Sequence, residues 1–247
     1  MTPYYDDDGI TIYHGNAREV LPGLSTNAAL VSDPQYGIGF NVNAKRSRRS
    51  GLAFGKHKPH IERDPKWIPL QNRDRTPFDP TPLLGFEEVI LWGANNYSAL
   101  LPDSRGWLVW DKLGDKQPCA FGDCELAWTN KDQSIRIWRQ VWRGLVREGE
   151  ENVANGSKLH PCQKPIALMR WCLAFTTSQT VIDPYMGSGT TLRAAKDLGR
   201  KAIGIEIEER YCEIAAKRLS QGVLPIHETE CLSINPVETK YGGGLYD

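Results

Sequence analysis

The chain has 247 residues, of which 40% are hydrophobic, and its 30 basic residues balance its 30 acidic residues to a formal net charge of zero. This length suits one α/β domain, and the zero net charge excludes a global electrostatic attraction to nucleic acid. No segment approaches about 18 consecutive apolar residues, so no membrane span is expected. Six cysteines without a signal-peptide pattern favour a reduced, cytoplasmic location, and no Cys/His cluster predicts a metal site.

Apolar residues recur with the periods of buried strands and amphipathic helices along most of the chain, which predicts a single domain over residues 1–247. Residues 1–9 are polar and are predicted to be a frayed end. Residues 39–82 have little periodicity and are predicted to be a basic loop insertion, and a tail begins at about 222. The predicted strands are 10–13, 28–32, 86–92, 107–110, 124–129, 135–143, 181–182 and 202–205, and the predicted helices are 17–24, 166–176, 190–198 and 208–220.

The predicted strand 28–32 ends in Asp33-Pro34-Gln35-Tyr36. Open parallel sheets bind their ligands at the carboxyl ends of their strands, so this tetrapeptide is a candidate site. Asp-Pro is also common in turns, and from these four residues alone a plain turn is the simpler interpretation.

The loop 45–63 holds seven Lys or Arg residues against one acid, Glu62. A solvated loop and a segment that contacts nucleic-acid phosphates, becoming ordered on binding, both agree with this composition. The second interpretation makes DNA-binding residues of Lys45, Arg46, Arg48 and Arg49.

The strand 135–143 alternates arginines and tryptophans with apolar residues. Arg136, Arg139 and Arg143 could contact phosphates or base edges while the tryptophans stack on bases. Alternatively, the tryptophans pack on the sheet and the arginines extend to solvent. The segment 129–159 is the predicted target-recognition part.

Residues 180–209 read as strand, glycine-rich turn, helix and strand. The acidic Glu206 lies about 20 positions after the turn, where such a residue binds ribose hydroxyls. Asp183 before the turn disfavours a pyrophosphate and suits an ammonium or sulfonium group. A ligand with an amino-acid end and a ribose, S-adenosylmethionine, fits both, whereas the alternative is an ordinary βαβ unit.

Three segments in this order resemble the β-class DNA amino-methyltransferases: DPQY at 33–36, HPCQKP at 160–165, and DPYMGSGTT at 183–191. In that family [DNS]-P-P-[YFW] comes first, H-P-x-x-K-P follows, and D-P-F-x-G-S-G-T-T is last. The similarity covers about residues 15–219. It implies a Rossmann-like methyltransferase fold, an α/β architecture with a doubly wound, mixed seven-stranded sheet and a circularly permuted motif order.

The resemblance also implies roles for single residues. Asp33 and the Pro34 carbonyl accept hydrogen bonds from the target amine, and Tyr36 stacks on the flipped base. Asp at position 33 favours adenine N6, with cytosine N4 left open. Gln35 stands where the family usually has a second proline and could alter pocket rigidity or base choice. The residues implied to surround the cofactor are Asn16, His160, Lys164, Asp183, Tyr185, Gly187, Ser188, Gly189, Thr190, Thr191 and Glu206.

Double-stranded DNA is the implied substrate, and the resemblance allows a homodimer and a cognate restriction endonuclease. Pro161-Cys162-Gln163 spells the nucleophile of cytosine-C5 methyltransferases, but it precedes the cofactor turn instead of following it. A nucleic-acid-binding protein with a degenerate methyltransferase fold is an alternative of another class. An RNA or protein-glutamine methyltransferase is a further alternative, because related tetrapeptides occur in those families, although their motif order is usually the opposite one.

Overall fold

The computed structural model describes residues 2–36, 77–114, 122–143, 146–147 and 163–222. These residues form a mixed nine-stranded sheet with helices on both faces, and a separate two-stranded hairpin. The strands are β1 (Tyr5–Asp7), β2 (Ile10–His14), β3 (Ala29–Ser32), β4 (Glu88–Trp92), β5 (Trp107–Asp111), β6 (Cys124–Thr129), β7 (Arg136–Arg139), β8 (Trp142–Arg143), β9 (Val146–Arg147), β10 (Thr180–Asp183) and β11 (Lys201–Glu206). The helices are α1 (Ala17–Val20), α2 (Ile166–Leu173), α3 (Thr190–Asp197) and α4 (Glu209–Leu219).

The large sheet has the strand order β1-β2-β11-β10-β3-β4-β6-β5-β7. Strands β2, β11, β10, β3 and β4 are mutually parallel, and β6 runs antiparallel between β4 and β5. The α/β prediction is confirmed, but the strand count of seven is corrected to nine. In the order of the sheet, seven contiguous strands run from β2 to β5. One further strand extends each edge: β1 pairs with β2, and β7 pairs with β5.

The first residues of the chain are not a frayed end. Tyr5–Asp7 pairs antiparallel with the start of β2, after a turn in which Asp8 and Gly9 have φ values of 50° and 75°. Thr11 Oγ1 donates to Asp6 Oδ1 at 2.9 Å, and Tyr5 packs against the core. The polar side chains of β1 therefore agree with an edge strand that faces solvent.

Two apolar clusters cover the two faces of the sheet. Helices α2, α3 and α4 contribute to one cluster and α1 to the other. Neighbouring residues of β3, Leu30 and Val31, belong to different clusters and are both fully buried. A central strand that is buried on both faces requires this continuous apolar pattern.

The long strand predicted over 135–143 is broken into β7 and β8. The regular ladder with β5 ends at Arg139, although the Gln140 and Trp142 N–H groups donate to the Asp111 and Lys112 carbonyls at 3.1 and 3.2 Å. Trp142 also pairs with Arg147 in the separate hairpin. Trp138 packs against Trp171 with ring centroids 5.7 Å apart, and Trp142 is buried. The tryptophans therefore pack inward, as one of the two interpretations expects. No helix in the part of the chain that the structure describes is long and apolar enough to cross a membrane.

Candidate active site

The two acidic motifs meet at one edge of the sheet. Asp33 directly follows β3, and Asp183 is the last residue of the adjacent parallel strand β10, so both lie at carboxyl ends. Ser32 Oγ donates to Asp183 Oδ1 at 2.6 Å, and both residues are buried. The tetrapeptide and the glycine turn, about 150 residues apart in the chain, are thus coupled by a side-chain hydrogen bond.

Asp183 holds the glycine turn (residues 187–189) in place through its hydrogen bonds. Its carboxylate accepts hydrogen bonds from Ser32, from Thr191 Oγ1 at 2.5 Å and from the Tyr185 backbone N–H at 3.1 Å. Burial raises the pKa of the Asp183 carboxyl to about 6, although these donors oppose the rise. The β3 strand, the turn and the start of α3 are therefore held together around one carboxylate.

The glycine turn brings its backbone close to Glu206. Gly187 N–H donates to Glu206 Oε2 at 3.1 Å, and Glu208 N–H donates to Oε1 at 2.8 Å. Burial raises the pKa of Glu206 above its ordinary value, and the backbone donors oppose that rise. The Ile207 backbone N–H also acts on this carboxylate, so about one of its roughly four lone-pair sites stays for another donor, such as a ribose hydroxyl.

Gly189 needs to be glycine for two reasons. Its φ of 76° lies in the left-handed region at the N-terminus of α3, where an L side chain is strained. A Cβ atom at this position would also lie 3.0 Å from the Ala215 Cβ of α4. Around it, Ser188, Thr190 and Thr191 are buried.

Asn16 lies beside the same edge, because β2 runs parallel to β11 and the Gly15 N–H donates to the Glu206 carbonyl at 2.9 Å. Its Oδ1 accepts the Arg18 N–H at 3.0 Å and caps α1. The side-chain oxygen of Asn16 therefore has a structural role as a helix cap. The contact of Asn16 with the cofactor stays a prediction.

Lys164 lies in the catalytic half and not at the glycine turn. Its Nζ is 2.7 Å from Asp33 Oδ2, 2.9 Å from Glu125 Oε2 and 3.3 Å from the Tyr36 hydroxyl. The other oxygen of Glu125 lies 2.9 Å from Lys112 Nζ. The resemblance implied that Lys164 closes the cofactor pocket, whereas these contacts place it against the predicted catalytic carboxylate.

Charges within the group of Asp33, Lys164, Glu125 and Lys112 shift the pKa values of Asp33 and Glu125. Burial raises the pKa of Asp33 above its ordinary value, Lys164 opposes the rise and Glu125 adds to it. Burial also disfavours the charge on Glu125, but Lys164 and Lys112 outweigh it and lower the pKa of Glu125 to about 2.

Tyr36 is held at both ends of its ring. The hydroxyl donates to Asp33 Oδ1, and the ring packs on Gly93, where an added Cβ would overlap it. Pro34 is buried and Gln35 is exposed, so Gln35 points away from the packed part of the tetrapeptide. The stacking role of Tyr36 stays a prediction.

The predicted DNA-binding residues are only partly described. Arg136 and Arg139 lie on the edge strand β7 and are exposed, and Arg139 Nε lies 3.6 Å from Asp111 Oδ2. The backbone of Arg143 belongs to β8. Within the described residues, no three or more His, Cys, Asp or Glu side chains are grouped to hold a metal ion. His160, Cys162, Lys45, Arg46, Arg48 and Arg49 lie outside the described residues.

Sequence reasoning missed five residues that shape the site. Ser32 was read as an ordinary strand residue, yet it joins the two motifs. Glu125 lies in a strand predicted only for its apolar content, and no local signal indicates its partners. The others are Lys112, which pairs with Glu125, and Trp92 and Trp110, whose rings lie 5.4 and 6.0 Å from Lys164 Nζ.

Known proteins are similar to this chain in sequence and in fold. The profile of the DNA methylase family, which covers N6 and N4 methyltransferases, matches residues 42–217. The type II methyltransferase M2.LlaDCHI of Lactococcus lactis subsp. cremoris is 35% identical over 117 residues, which are 47% of this chain and 42% of that protein. The type II methyltransferase M.ScaI of Streptomyces caespitosus is 26% identical over an alignment of 262 positions, which covers 88% of this chain and 83% of that protein.

Among solved structures, the cytosine-N4-specific PvuII DNA methyltransferase superposes with a TM-score of 0.53 at 16% identity, covering 92% of each chain. This likeness supports the Rossmann-like fold alone. With more than half of its length matched by the family profile, the chain belongs to the DNA methylase family.

Proposed function

We propose that this chain transfers a methyl group from S-adenosylmethionine to the exocyclic amine of a base flipped out of double-stranded DNA, with adenine N6 as the preferred target. The observation that carries this proposal is the Ser32 hydrogen bond, which fixes the carboxyl end of β3 to Asp183 at the start of the glycine turn. An acceptor for an amine, Asp33, therefore lies next to the predicted cofactor site. The type II methyltransferase relatives favour a role in a restriction–modification system.

The residues present fit S-adenosylmethionine. Gly187 and Gly189 have no side chains of their own that would hold a ligand away from the backbone. Asp183 suits a cationic amino-acid end, and the remaining lone pair of Glu206 suits a ribose hydroxyl. When bound, the cofactor supplies an electrophilic methyl group on its sulfonium.

Asp33 and the Pro34 carbonyl explain how a weak nucleophile reacts. The lone pair of an exocyclic amine is delocalised into the ring, so the planar nitrogen attacks poorly. Two acceptors that bind its hydrogens favour a pyramidal nitrogen whose lone pair is free. The nitrogen would then accept the methyl group that the bound cofactor supplies, and the proton that it releases would pass to solvent beside Asp33. The chain contributes mainly positioning and fixed electrostatics.

Asp33 is open to such a substrate. Its side chain is 21% exposed, whereas that of Lys164 behind it is 7% exposed. Because a paired base cannot present its amine to this carboxylate, the base is flipped, and the Tyr36 ring repays part of the lost stacking. Cytosine N4 is the second candidate, since Asp33 and Pro34 recognise the amine and not the ring that carries it.

Methyl transfer with a tritiated donor tests the proposal. We expect label in unmethylated genomic DNA, and nucleoside analysis to show N6-methyladenine. An N4-methylcytosine peak would keep the mechanism and change the base. Label found only in RNA or only in protein would contradict the proposal and favour an RNA or protein methyltransferase. Cofactor binding without transfer to DNA, RNA or protein would also contradict it and favour a binding protein with a degenerate methyltransferase fold.

A further inference from the structure

A partly buried chain of alternating charges, in which only Lys164 is buried, begins at the candidate catalytic carboxylate. It consists of Asp33 after β3, Lys164 before α2, Glu125 on β6 and Lys112 on β5. The three polar contacts of Lys164 Nζ match the three donors of an ammonium group: Asp33 at 2.7 Å, Glu125 at 2.9 Å and the Tyr36 hydroxyl at 3.3 Å. The two acids and the two bases balance to zero net charge.

The surroundings of Lys164 make its place well defined. Its side chain is 7% exposed, and its Nζ lies over the rings of Trp92 and Trp110, 5.4 and 6.0 Å from their centroids. An ammonium group in such a place requires anionic partners, because burial alone favours the neutral amine. Asp33 and Glu125 together outweigh burial and raise the pKa of Lys164.

We propose that Lys164, anchored by Glu125, is a positioning residue that keeps the Asp33 carboxylate charged and fixed as the acceptor for the target amine. The inference rests on the proposed function and deepens it. It assigns Lys164 to the catalytic carboxylate, in contrast to the cofactor-pocket role that the resemblance implies.

The charge on Asp33 decides whether it can act. An ionised carboxylate only accepts hydrogen bonds, whereas a protonated one donates through its O–H and would compete with the amine. Burial and the charge of Glu125 both favour protonation of Asp33, and Lys164 opposes them. Without the ammonium, a desolvated carboxylate would face another one, and its pKa would rise.

The other groups that act on Asp33 do not replace Lys164. Asp183 on β10 carries the same sign of charge, and the Tyr36 hydroxyl is a neutral donor. The Tyr97 hydroxyl donates to the Trp92 carbonyl at 2.7 Å instead. Lys112 Nζ lies 2.9 Å from Glu125, the residue on the far side of Lys164 from Asp33.

The direct test is a ¹³C NMR titration of the full chain with labelled aspartate carboxyls, without cofactor or DNA. The Asp33 signal is identified by its loss in Asp33→Asn. We expect Lys164→Met to raise the Asp33 midpoint by about 1–3 pH units, as removal of a close opposite charge does. Glu125→Gln, of the same shape, removes a like charge and should lower the midpoint. Damage to the fold would not move the two midpoints in opposite directions.

Kinetics provide the second readout. At saturating DNA and cofactor, the acid limb of kcat should shift upward in Lys164→Met, and Lys164→Arg should restore most of the activity because it keeps the charge. The cofactor Kd should stay unchanged. Lys131→Met is the matched control, since Lys131 also pairs with a buried carboxylate, Glu88, but at the other end of the sheet.

An unchanged Asp33 midpoint in Lys164→Met would overturn the inference. A weakened cofactor Kd with an unchanged acid limb would also overturn it and restore the cofactor-pocket role. The NMR titration needs no catalysis, so failure of the native chain to methylate DNA would contradict the proposed function separately.

Discussion

Asp33 and Asp183 have the same side chain but different partners. Asp33 faces the ammonium of Lys164, whereas the hydrogen bonds that Asp183 accepts come from neutral groups of Ser32, Thr191 and Tyr185. None of these three donors carries a positive charge. Burial therefore raises the pKa of Asp183 to about 6, although the hydrogen bonds oppose the rise. A cationic ligand would supply the missing charge, which agrees with the ammonium or sulfonium of the proposed cofactor.

Cofactor affinity should depend on pH through this carboxyl. Ionised Asp183 attracts a cationic ligand, so affinity should be constant well above pH 6 and fall as pH decreases through about 6. Calorimetric titration of S-adenosylmethionine between pH 5 and 8 measures the effect. In Asp183→Asn the affinity should be lower at pH 8 and nearly independent of pH, whereas an unchanged profile would remove Asp183 from the binding site.

Gly93 should determine where the Tyr36 ring lies. A side chain at this position would overlap the ring and would also be strained, because φ is 70°. Gly199 has a similar φ of 67° but open space around it, so Gly199→Ala is the matched control. The strained φ alone should cost each alanine variant about 1 kcal/mol of stability in urea unfolding. Gly93→Ala should lose more and also lose methyl transfer, and equal activity in the two variants would contradict the role of the ring.

At the scale of elements, a second buried carboxylate braces the end of the sheet opposite the site. Glu88 at the start of β4 is 1% exposed. It pairs with Lys131 Nζ at 2.6 Å and accepts the backbone N–H and hydroxyl groups of Thr177 and Ser178. Because Thr177 and Ser178 lie between α2 and β10, this brace fixes the strand that carries the glycine turn.

The brace should make stability depend on acid. Burial disfavours the charge on Glu88, but Lys131 and the donors of Ser178 and Thr177 outweigh it and lower its pKa from 4.5 to about 2. A lowered pKa stabilises the folded state above pH 4.5, and this contribution is lost as pH falls toward 2. The loss should be on the order of 3 kcal/mol in the native chain.

The free energy of unfolding in urea at pH 6 and at pH 3 measures this change. Comparing the two pH values for the same protein cancels any loss of stability that a substitution causes at both. Glu88→Gln should show a smaller decrease between the two pH values than the native chain. Glu213→Gln, on the exposed surface of α4, should behave as the native chain does. An equal decrease in all three would contradict the brace.

Local patterns predicted most elements but few of their partners. The strand predicted at 124–129 has the same bounds as β6, because its composition alone defines it. The role of Glu125 was not predictable, since its partner Lys164 is 39 residues away in the chain. Only the insertion of β6 between β4 and β5 brings the two together.

The edges of the sheet were the least predictable. β1 is polar because it faces solvent, so no apolar alternation marks it as a strand. In the segment 135–143 the alternation is real, but the regular pairing with β5 stops at Arg139, and Trp142 pairs with Arg147 of β9. The acidic ends of β3 and β10 could be predicted, because motif order and strand direction together place them at one edge.

At the scale of the whole molecule, the chain is neutral, so attraction to DNA has to come from local charge. The segment 45–63 is the strongest basic stretch. Neutralising Lys45, Arg46, Arg48 and Arg49 should weaken DNA binding and reduce the salt slope of log K by up to about 3.6, since each phosphate contact contributes about 0.9.

Fluorescence anisotropy with duplex DNA at several salt concentrations measures that slope. Neutralising the exposed Lys201 and Lys217, which lie on β11 and α4, should leave it unchanged. If the four-residue variant keeps the native slope, this loop is a solvated segment without phosphate contacts.

The central claim is that Asp33 acts on the target amine while Asp183 and the glycine turn hold the methyl donor. Its most direct test is methyl transfer from tritiated S-adenosylmethionine to unmethylated duplex DNA by the native chain and by Asp33→Ala in parallel, with cofactor Kd measured on both proteins. We expect transfer by the native chain, loss of at least about 100-fold in the variant, and the same cofactor Kd. Full transfer by Asp33→Ala would contradict the account.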